Sequence, residues 1–363
     1  MRGVVLREVG QPTAVEELAL RPLGRHEVRV QLAASGVCHS DLSLRNGSIP
    51  TLLPGTLGHE GAGVVAEVGD DVTSVGPGDH VVLTWLVACR SCPHCLRGES
   101  QLCVHAYDHA YGGPYAESAA GPVWPGMGVG SLAEQTLLPA AAVVPVDKSL
   151  PLDHAALLGC GVTTGVGAVM RTAAVRPGES VLVIGCGGVG LAAIQGARLA
   201  GAAPIIAADQ VAAQLPAATA NGATETIDAS EVDLASAVRD LTGGAGVDHG
   251  IEVVGKPATI RAAYDATRRG GKVTLVGAAG IEESVTFPAL SLMVEGKTIQ
   301  GSVYGASDPA RDIPLLADLS RRGLLDIEAL VTRRIGLDDV EAAFTDMAAG
   351  HGARSVVCFD TRP

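Results

Sequence analysis

The stretch Val181-Leu-Val-Ile-Gly-Cys-Gly-Gly-Val-Gly190 decides the fold of the region around it. A short β-branched run enters a glycine-rich turn, and residues 191–200 then have the composition of a helix. The glycines fit the pattern G-x-G-x-x-G, which permits a tight turn, close approach of a pyrophosphate and packing of helix on strand. Phosphate oxygens would lie at the N–H groups that begin the helix. The stretch therefore predicts a dinucleotide-binding turn.

Asp209 supplies the second part of this motif. It follows the apolar run 204–208, about 20 residues after the turn, where the motif places an acid. A carboxylate at this point accepts hydrogen bonds from an unmodified ribose and repels a 2′-phosphate. Asp209 therefore predicts NAD rather than NADP as the cofactor.

The sequence on both sides of the turn alternates strands with helices. Such alternation is typical of a doubly wound parallel sheet. A further helix is predicted near residues 310–322, and a last strand at 355–359. The strands predicted for the sheet are 181–184, 204–208, 224–227, 248–254, 272–276 and 297–303.

The first 85 residues have a different pattern, in which short apolar runs alternate with turn residues. Strands are predicted at 28–33, 63–68 and 80–84, which indicates a small β-barrel or sandwich. Residues 104–130 are rich in Gly and Pro without a clear period, and we predict a long surface loop there.

Length and composition limit the functional classes. A chain of 363 residues suggests about two domains, and 47 % hydrophobic with 18 % charged residues indicates a well-packed core. The net charge of −13 argues against a nucleic-acid partner. The N-terminal residues do not resemble a signal peptide, and polar residues interrupt the apolar stretch 181–208. We therefore predict no membrane association and a cytoplasmic location.

Four cysteines are closely spaced in a way that is typical of a metal site. Two-residue gaps separate the first three, and the fourth follows seven residues later. Four thiolates complete a tetrahedral shell around zinc and leave no position for a substrate, which makes such a site structural. An iron–sulfur cluster and four unligated thiols are the alternatives. The residues are Cys89, Cys92, Cys95 and Cys103.

Two shorter polar patches combine a thiol, an imidazole and carboxylates, which are the groups that a zinc site needs. The first is Gly36-Val-Cys-His-Ser-Asp41, and the second is Gly58-His-Glu-Gly61. Alone, each patch is more often a buried cysteine, an isolated histidine or a plain turn than a metal site. Cys160 lies 25 residues before Gly185 of the glycine-rich turn.

Together these motifs resemble the zinc-dependent alcohol dehydrogenases of the medium-chain dehydrogenase/reductase superfamily, over nearly the whole chain. The resemblance rests on GVCHSD (36–41), GHEGAG (58–63), the cysteines of 89–103, LLGCGVTTG (157–165), GCGGVG (185–190) and the segment around Arg354. It implies an α/β protein. A GroES-like, β-rich catalytic domain would comprise residues 1–160 and 304–363, and a Rossmann NAD-binding domain would comprise 161–303, with the active site in the cleft between them.

The resemblance also implies a set of catalytic residues and two zinc ions per subunit. Cys38, His59 and Cys160 match the catalytic zinc ligands, and the four clustered cysteines match the structural zinc site. Ser40 corresponds to the hydroxyl that binds the substrate alcohol and begins a proton relay. Asp41 corresponds to the carboxylate that orients the ligand imidazole, and Glu60 to the acid beside the metal.

A third group of residues is implied to bind NAD or to border the substrate. Trp85 matches an aromatic wall of the substrate pocket. The remaining residues match positions that contact the cofactor, chiefly its pyrophosphate and its nicotinamide. The implied cofactor-binding residues are His39, Thr164, Gly185, Gly187, Gly188, Val189, Gly190, Asp209, Val253, Val276 and Arg354.

One departure from the family pattern concerns the proton relay. Many members carry a histidine three residues after the relay serine, whereas this chain has Ser43. Protons would then leave through Ser43 and water, or through His39.

We expect interconversion of a primary, apolar or aromatic alcohol and its aldehyde, with a thiol-adduct (S-hydroxymethyl thiol) formaldehyde dehydrogenase or a non-catalytic NAD-binding relative as alternatives. The resemblance also implies a homodimer or a homotetramer.

Overall fold

The computed structural model describes residues 1–350 and 354–359. The chain divides into two compact units, of which the first comprises Met1–Gly161 with Asp308–Pro363 and the second comprises Val162–Ser307. Within the described residues, no helix combines the length and the apolar character needed to cross a membrane.

The strands and helices are numbered in chain order. The strands are β1 (Arg2–Leu6), β2 (Ala14–Leu20), β3 (Glu27–Gly36), β4 (Gly55–Thr56), β5 (Glu60–Val68), β6 (His80–Leu83), β7 (Ala116–Ser118), β8 (Gly121–Pro125), β9 (Gln135–Pro139), β10 (Val143–Pro145), β11 (Val181–Ile184), β12 (Ile205–Asp209), β13 (Glu225–Asp228), β14 (Val247–Glu252), β15 (Thr267–Leu275), β16 (Thr298–Gly301), β17 (Arg333–Ile335) and β18 (Ser355–Cys358). The α-helices are α1 (His39–Asn46), α2 (Pro93–Leu96), α3 (Leu152–Leu157), α4 (Gly161–Gly167), α5 (Gly188–Leu199), α6 (Leu215–Asn221), α7 (Leu234–Leu241), α8 (Pro257–Ala266), α9 (Ala289–Glu295), α10 (Pro309–Arg321) and α11 (Val340–Ala348).

The first unit is rich in β-structure, as the alternating pattern predicts, and its strands pair mainly antiparallel, with β4–β8 and β17–β18 parallel. One group of strands closes into a barrel in the order β1-β2-β7-β8-β4, and a second sheet has the order β10-β6-β5-β3-β18-β17, with β9 also paired to β3. In β3, Val28, Val30 and Leu32 are buried while the residues between them are partly exposed. This period of two is the expected pattern of a strand with one face on the core.

The pairing of β3 with β5 positions the first polar patch beside the second. The register runs from Val28 opposite Val68 to Gly36 opposite Glu60. A Cβ atom at Gly36 would lie 2.1 Å from Oε2 of Glu60, so only glycine fits there. Because Cys38 follows β3 and His59 precedes β5, this register brings residues from two distant segments together.

The second unit contains a six-stranded parallel sheet in the order β13-β12-β11-β14-β15-β16, with helices in the connections. This is the doubly wound architecture that the sequence predicts. Its strands begin and end within one or two residues of the predicted bounds, apart from β15, which begins at Thr267 rather than near residue 272. The core is aliphatic and includes Leu182, Ile206 and Val273.

The prediction of one long loop over residues 104–130 is wrong. This segment contains β7 and β8, which pair with each other and complete the barrel through β2 and β4. The two strands have three and five residues, too few to produce a periodic pattern, and Gly121, Pro122 and Pro125 resemble turn residues. Their pairing partners lie far away in the sequence, so long-range hydrogen bonding decides their conformation.

Candidate active site and metal centres

A buried group of four side chains forms the centre of the first unit. One possible ligand atom from each of Cys38, His59, Glu60 and Cys160 lies within 4.8 Å of the others, and all four residues are buried. Cys38 immediately precedes α1, and Cys160 immediately precedes α4. The fold therefore brings together the three residues that the sequence predicts as catalytic zinc ligands, with the predicted acid beside them.

The imidazole of His59 is oriented as a metal ligand requires. Its Nδ1 lies 3.1 Å from Oδ1 of Asp41, while its buried Nε2 has no hydrogen-bond partner among the residues that the structure describes. Asp41 is held in turn by the backbone N–H of Gly58, which donates to the same oxygen at 2.8 Å. With the proton on Nδ1, the lone pair of Nε2 is free to bind a cation.

The charges around His59 favour a cation at this point. Burial alone would lower the pKa of His59, but the negative charges of Asp41, Cys160 and Cys38 raise it well above its usual value. A site that stabilises a buried imidazolium ion stabilises a divalent metal ion for the same reason. Two thiolates and one imidazole are a known catalytic ligand set for zinc.

Glu60 forms a buried ion pair on one side of this group. Arg354 Nη1 donates to both carboxylate oxygens of Glu60, at 2.9 and 2.8 Å, and the backbone N–H of Gly161 donates to Oε1 at 2.9 Å. Burial raises the pKa of Glu60 to about 7, against the lowering effect of Arg354. Because Gly161 adjoins Cys160, Glu60 ties this part of the chain to the C-terminal segment. The predicted contact of Arg354 with a pyrophosphate stays a prediction.

Helix α1 carries the three other polar residues predicted for the relay. Oγ of Ser40 lies 3.9 Å from Sγ of Cys38, and Ser40 is half-buried. Ser43 is half-buried and one turn further along the helix, whereas His39 is exposed. Residues three apart in a helix share a face, so Ser40 and Ser43 lie on the same side of α1.

An aromatic residue, Trp85, adjoins His59, and a second one, Tyr107, stacks on Trp85. The indole of Trp85 meets the imidazole edge to face, with the ring centres 6.5 Å apart. The phenol of Tyr107 stacks on Trp85 at a centre-to-centre distance of 5.9 Å and an angle of 8°. Trp85 is only 9 % exposed, and Tyr107 is 44 % exposed. The sequence predicts Trp85 at the site but misses Tyr107, which lies in the segment without a recognisable pattern.

The four clustered cysteines, together with the residues between them, form what we call the four-cysteine lobe (residues 89–103). Their four sulfur atoms lie within 4.8 Å of one another, and Cys89 and Cys95 are 4.0 Å apart. A tetrahedral zinc site with Zn–S bonds of about 2.3 Å requires sulfurs about 3.8 Å apart. Hydrogen bonds from the backbone and the hydroxyl of Ser91, and from the backbone of Cys92, lower the pKa of Cys89 to about 5. The lobe thus fits one structural zinc ion.

The glycine-rich turn in the second unit has the geometry that a bound dinucleotide needs. Gly185 has a φ of +98°, which favours glycine, and a Cβ atom at Gly190 would lie 1.8 Å from the carbonyl oxygen of Gly185. Gly187 precedes α5 and has no neighbouring atom within 4 Å of a Cβ position, so the space in front of it is open. A phosphate group can therefore reach the N-terminus of α5.

Asp209 ends β12 beside this turn. One carboxylate oxygen accepts the N–H of Cys186 at 2.7 Å, and the other accepts the N–H of Val211 at 2.8 Å. The carboxylate is thus fixed next to the turn, where the ribose of a dinucleotide is expected.

The remaining predicted cofactor residues of the second unit lie around the same edge of the sheet. Val253 follows β14 and Val276 follows β15, while Val189 is in the first turn of α5. Thr164 lies in α4 and is buried. Since ligands of such sheets bind at the carboxyl ends of the strands, the residues present fit a nicotinamide dinucleotide, NAD(P).

Comparison with known proteins identifies the family. Residues 24–148 match the model of the alcohol dehydrogenase GroES-like domain, and residues 188–320 match that of the zinc-binding dehydrogenases. The chain is 36 % identical to an S-(hydroxymethyl)glutathione dehydrogenase of Synechocystis over 98 % of its length and 99 % of the relative's.

Solved structures agree with this assignment. An alcohol dehydrogenase zinc-binding domain protein from Burkholderia ambifaria is 37 % identical, with a TM-score of 0.92 over 99 % of this chain and 98 % of that one. The benzyl alcohol dehydrogenase of Acinetobacter calcoaceticus is 32 % identical, with a TM-score of 0.91 over 99 % of both chains. The family predicted from the sequence is thereby confirmed: the chain belongs to the zinc-dependent alcohol dehydrogenases of the medium-chain dehydrogenase/reductase superfamily and is an oxidoreductase.

Proposed function

We propose that this protein interconverts primary, apolar or aromatic alcohols and their aldehydes, with NAD as the hydride carrier. The observation that carries the proposal is the buried set of Cys38, His59 and Cys160, in which Nε2 of His59 has no hydrogen-bond partner within residues 1–350 and 354–359. Three ligands leave one position of a tetrahedral metal open for a substrate oxygen. In this proposal the first unit is the catalytic domain and the second binds the cofactor.

The residues of this chain would orient the substrate and move one proton. Zinc bound by the three ligands would lower the pKa of an alcohol group, and the nicotinamide would accept the hydride. The hydroxyl of Ser40 accepts the alcohol proton and passes its own proton on. Ser43 is favoured over His39 as the next group, because it lies on the same face of α1. Asp41 holds the imidazole of His59 in the tautomer that leaves Nε2 unprotonated.

The aromatic pair supports a flat, apolar substrate. Trp85 lies against His59 and Tyr107 lies against Trp85, so the surface beside the ligand imidazole is made of two rings. A benzyl alcohol dehydrogenase is among the most similar structures, at 32 % identity. Ring faces of this kind bind aromatic groups well. We therefore expect a benzylic alcohol to be a better substrate than a branched secondary alcohol.

A thiol-adduct dehydrogenase is the second candidate, because the similar Synechocystis protein is an S-(hydroxymethyl)glutathione dehydrogenase. Glutathione carries two carboxylates, which need cationic partners. Three cationic side chains in and just after residues 89–103, the segment of the four clustered cysteines, already contact acids: Arg90 pairs with Asp308, Arg97 with Glu99, and His105 with Asp108. These pairings favour the alcohol over the glutathione adduct.

A substrate screen that follows NADH absorbance tests the proposal. The substrates are a benzylic alcohol, a short linear alcohol, a branched secondary alcohol and formaldehyde mixed with glutathione. We expect the benzylic alcohol to give the highest kcat/KM. A clear preference for the glutathione adduct would replace the proposal with the second candidate, and no turnover of any substrate by the zinc-loaded protein would indicate a non-catalytic relative.

The choice of NAD is tested at Asp209. We predict that the wild-type enzyme prefers NAD and that Asp209→Ala reduces this preference by about ten- to a hundredfold, since hydrogen bonds to a charged group contribute about 1.5–3 kcal/mol. The measurement is kcat/KM for NAD and for NADP. Asp228→Ala, at the end of the neighbouring strand, is the matched control and should leave the ratio unchanged. A wild-type preference for NADP would contradict the assignment of Asp209.

We also propose a cytoplasmic homodimer. None of the eight cysteines forms a disulfide bond with a described residue, as is usual in a reducing compartment. Strand β16 lies at the edge of the parallel sheet, and α9 just before it exposes Leu290 and Met293 at 70 % and 71 %. An apolar surface beside an unpaired strand edge is typical of a protein interface. Light scattering should give the mass of a dimer for the native chain and of a monomer for Met293→Asp.

A further inference from the structure

The aromatic pair beside His59 is joined to the four-cysteine lobe. Trp85 meets His59 in an edge-to-face arrangement and stacks on Tyr107. The two rings belong to the two chain segments that enter and leave the lobe, because Trp85 lies four residues before Cys89 and Tyr107 four residues after Cys103. The position of one ring relative to the other therefore depends on what holds these two segments together.

The sulfur atom of Cys103 holds both segments. It accepts a hydrogen bond from the backbone N–H of Cys89 at 3.3 Å and another from the backbone N–H of His105 at 3.4 Å. One further bond joins the segments, from the N–H of Val87 to the carbonyl oxygen of Ala106 at 3.2 Å. Cys103 and Ala106 are buried.

A metal ion bound by the lobe would hold these contacts in place through geometry. Cys89 and Cys103 would bind the same ion, so the segment that enters the lobe and the segment that leaves it would be fixed relative to each other. The ring of Tyr107 is 44 % exposed, so its stacking on Trp85 depends on how firmly its segment is held.

We propose that the four-cysteine lobe sets the shape of the substrate site: metal binding in the lobe holds Tyr107 on Trp85 through the sulfur of Cys103. Tyr107 is then a positioning residue, since it acts on the substrate through Trp85. This inference rests on the proposed function, in which Trp85 borders the substrate. Loss of the lobe metal, or of the Tyr107 ring, uncovers Trp85 and changes the order in which the enzyme prefers its substrates.

Fluorescence of Trp85 tests the coupling without any activity measurement. The Trp124→Phe change leaves Trp85 as the one tryptophan of the chain, and Cys160→Ala removes a ligand from the other metal site. Zn²⁺ is titrated into this metal-free full-length protein, and quenching of Trp85 by acrylamide is measured together with circular dichroism. We expect one equivalent of Zn²⁺ to reduce quenching several-fold.

Variants at Tyr107 distinguish ordering of this ring from general folding. Tyr107→Ala should lose most of the zinc-dependent protection, and Tyr107→Phe, which keeps the stacked ring, should retain it. Tyr111→Ala, at another exposed tyrosine of the same segment, is the matched control. It should behave like the parent, which is the protein with only Trp124→Phe and Cys160→Ala. Equal protection in Tyr107→Ala, or quenching that does not respond to Zn²⁺ in the parent, would overturn the proposal.

A second measurement, with all metal ligands intact, tests the consequence for specificity. In Tyr107→Ala the ratio of kcat/KM for a benzylic and a branched secondary alcohol should shift by about tenfold toward the branched alcohol, and in Tyr107→Phe it should not. An unchanged ratio in Tyr107→Ala would overturn the role in specificity. If the wild-type enzyme oxidised none of the alcohols, the proposed function would be overturned. Zinc-dependent protection of Trp85 would in that case still support the coupling.

Discussion

The two cysteine sites belong to the same unit but are held in opposite ways. The site of Cys38, His59 and Cys160 is buried, and Cys160 lies more than 100 positions after the other two residues. Charged side chains orient it, namely Asp41 on the imidazole and the Glu60–Arg354 pair beside it. The four-cysteine lobe spans 15 residues, is partly exposed, and receives its hydrogen bonds largely from backbone N–H groups.

This difference separates a site for chemistry from a site for folding. A buried site assembled by tertiary structure exists before the metal binds, so the metal can keep one position open for substrate. Cys92 and Cys103, the buried apolar side chains of the lobe, are themselves among its ligands, so metal ligation is a main contribution to its folding energy. The following predictions test whether the two sites differ in this way.

The largest effect is expected from Cys160→Ala. Removing one of three ligands from the open site should reduce kcat/KM by roughly a thousandfold or more, since metal catalysis supplies several kcal/mol and each 1.4 kcal/mol changes a rate tenfold. The melting temperature should change little, because the surrounding core remains packed. Cys358→Ala, at an exposed cysteine in β18, is the control. Near-normal activity of Cys160→Ala would show that the open metal site has been wrongly assigned.

Cys95→Ala should have the opposite profile. Loss of one of four ligands from the lobe should lower the free energy of unfolding by more than about 3 kcal/mol, with a smaller effect on the activity of the protein that remains folded. Thermal unfolding and zinc content measure the two effects. If this variant kept its full stability while binding only one of the two zinc ions per subunit, the lobe would not be a structural site.

Asp41→Asn tests whether charged side chains hold the catalytic site. The substitution keeps the shape but removes the charge that orients His59, and loss of such a partner weakens metal affinity or activity by about 10- to 100-fold. Glu99→Gln is the matched change beside the lobe, where an exposed pair with His94 contributes no more than about 1 kcal/mol. Zinc retention under a chelator should fall for Asp41→Asn alone; equal retention by both variants would contradict the comparison.

The same contrast explains what the sequence could predict. The lobe and the glycine-rich turn are local patterns, so spacing alone indicated their chemistry. The catalytic ligands were identified through a family resemblance, because no local pattern relates Cys160 to Cys38. Two contacts were missed altogether: the Glu60–Arg354 pair, whose partners are 294 positions apart, and the stacking of Tyr107 on Trp85. Both depend on which segments the sheets bring together.

The smallest expected effect concerns the attachment of the lobe to the rest of the unit. Arg90 has a φ of +62° and forms a two-pronged ion pair with Asp308, the residue before α10. The hydroxyl of Ser100 donates to the same carboxylate at 2.8 Å. The hydrogen bond from Arg90 is the main cause that lowers the pKa of Asp308 to about 2.

Asp308→Asn should therefore lower the free energy of unfolding by about 1 kcal/mol, because the guanidinium is half exposed and solvent screens the pair. Asparagine still accepts the N–H groups that begin α10, so the loss reports the ion pair rather than the helix cap.

Since the folded pKa of Asp308 lies below the unfolded value, the carboxylate stabilises the fold above about pH 4 and loses this effect as the pH falls toward 2. Asp233→Asn is the control: this helix cap accepts the N–H of Ser236 and feels Arg239 only as a minor electrostatic effect, so the change should cost only a few tenths of that amount. The pair Arg90→Gln and Asp308→Asn then completes a double-mutant cycle in urea, with zinc bound. A coupling energy near zero would mean that ligation by the four sulfurs alone holds the lobe, and that its contacts with α10 add nothing to it.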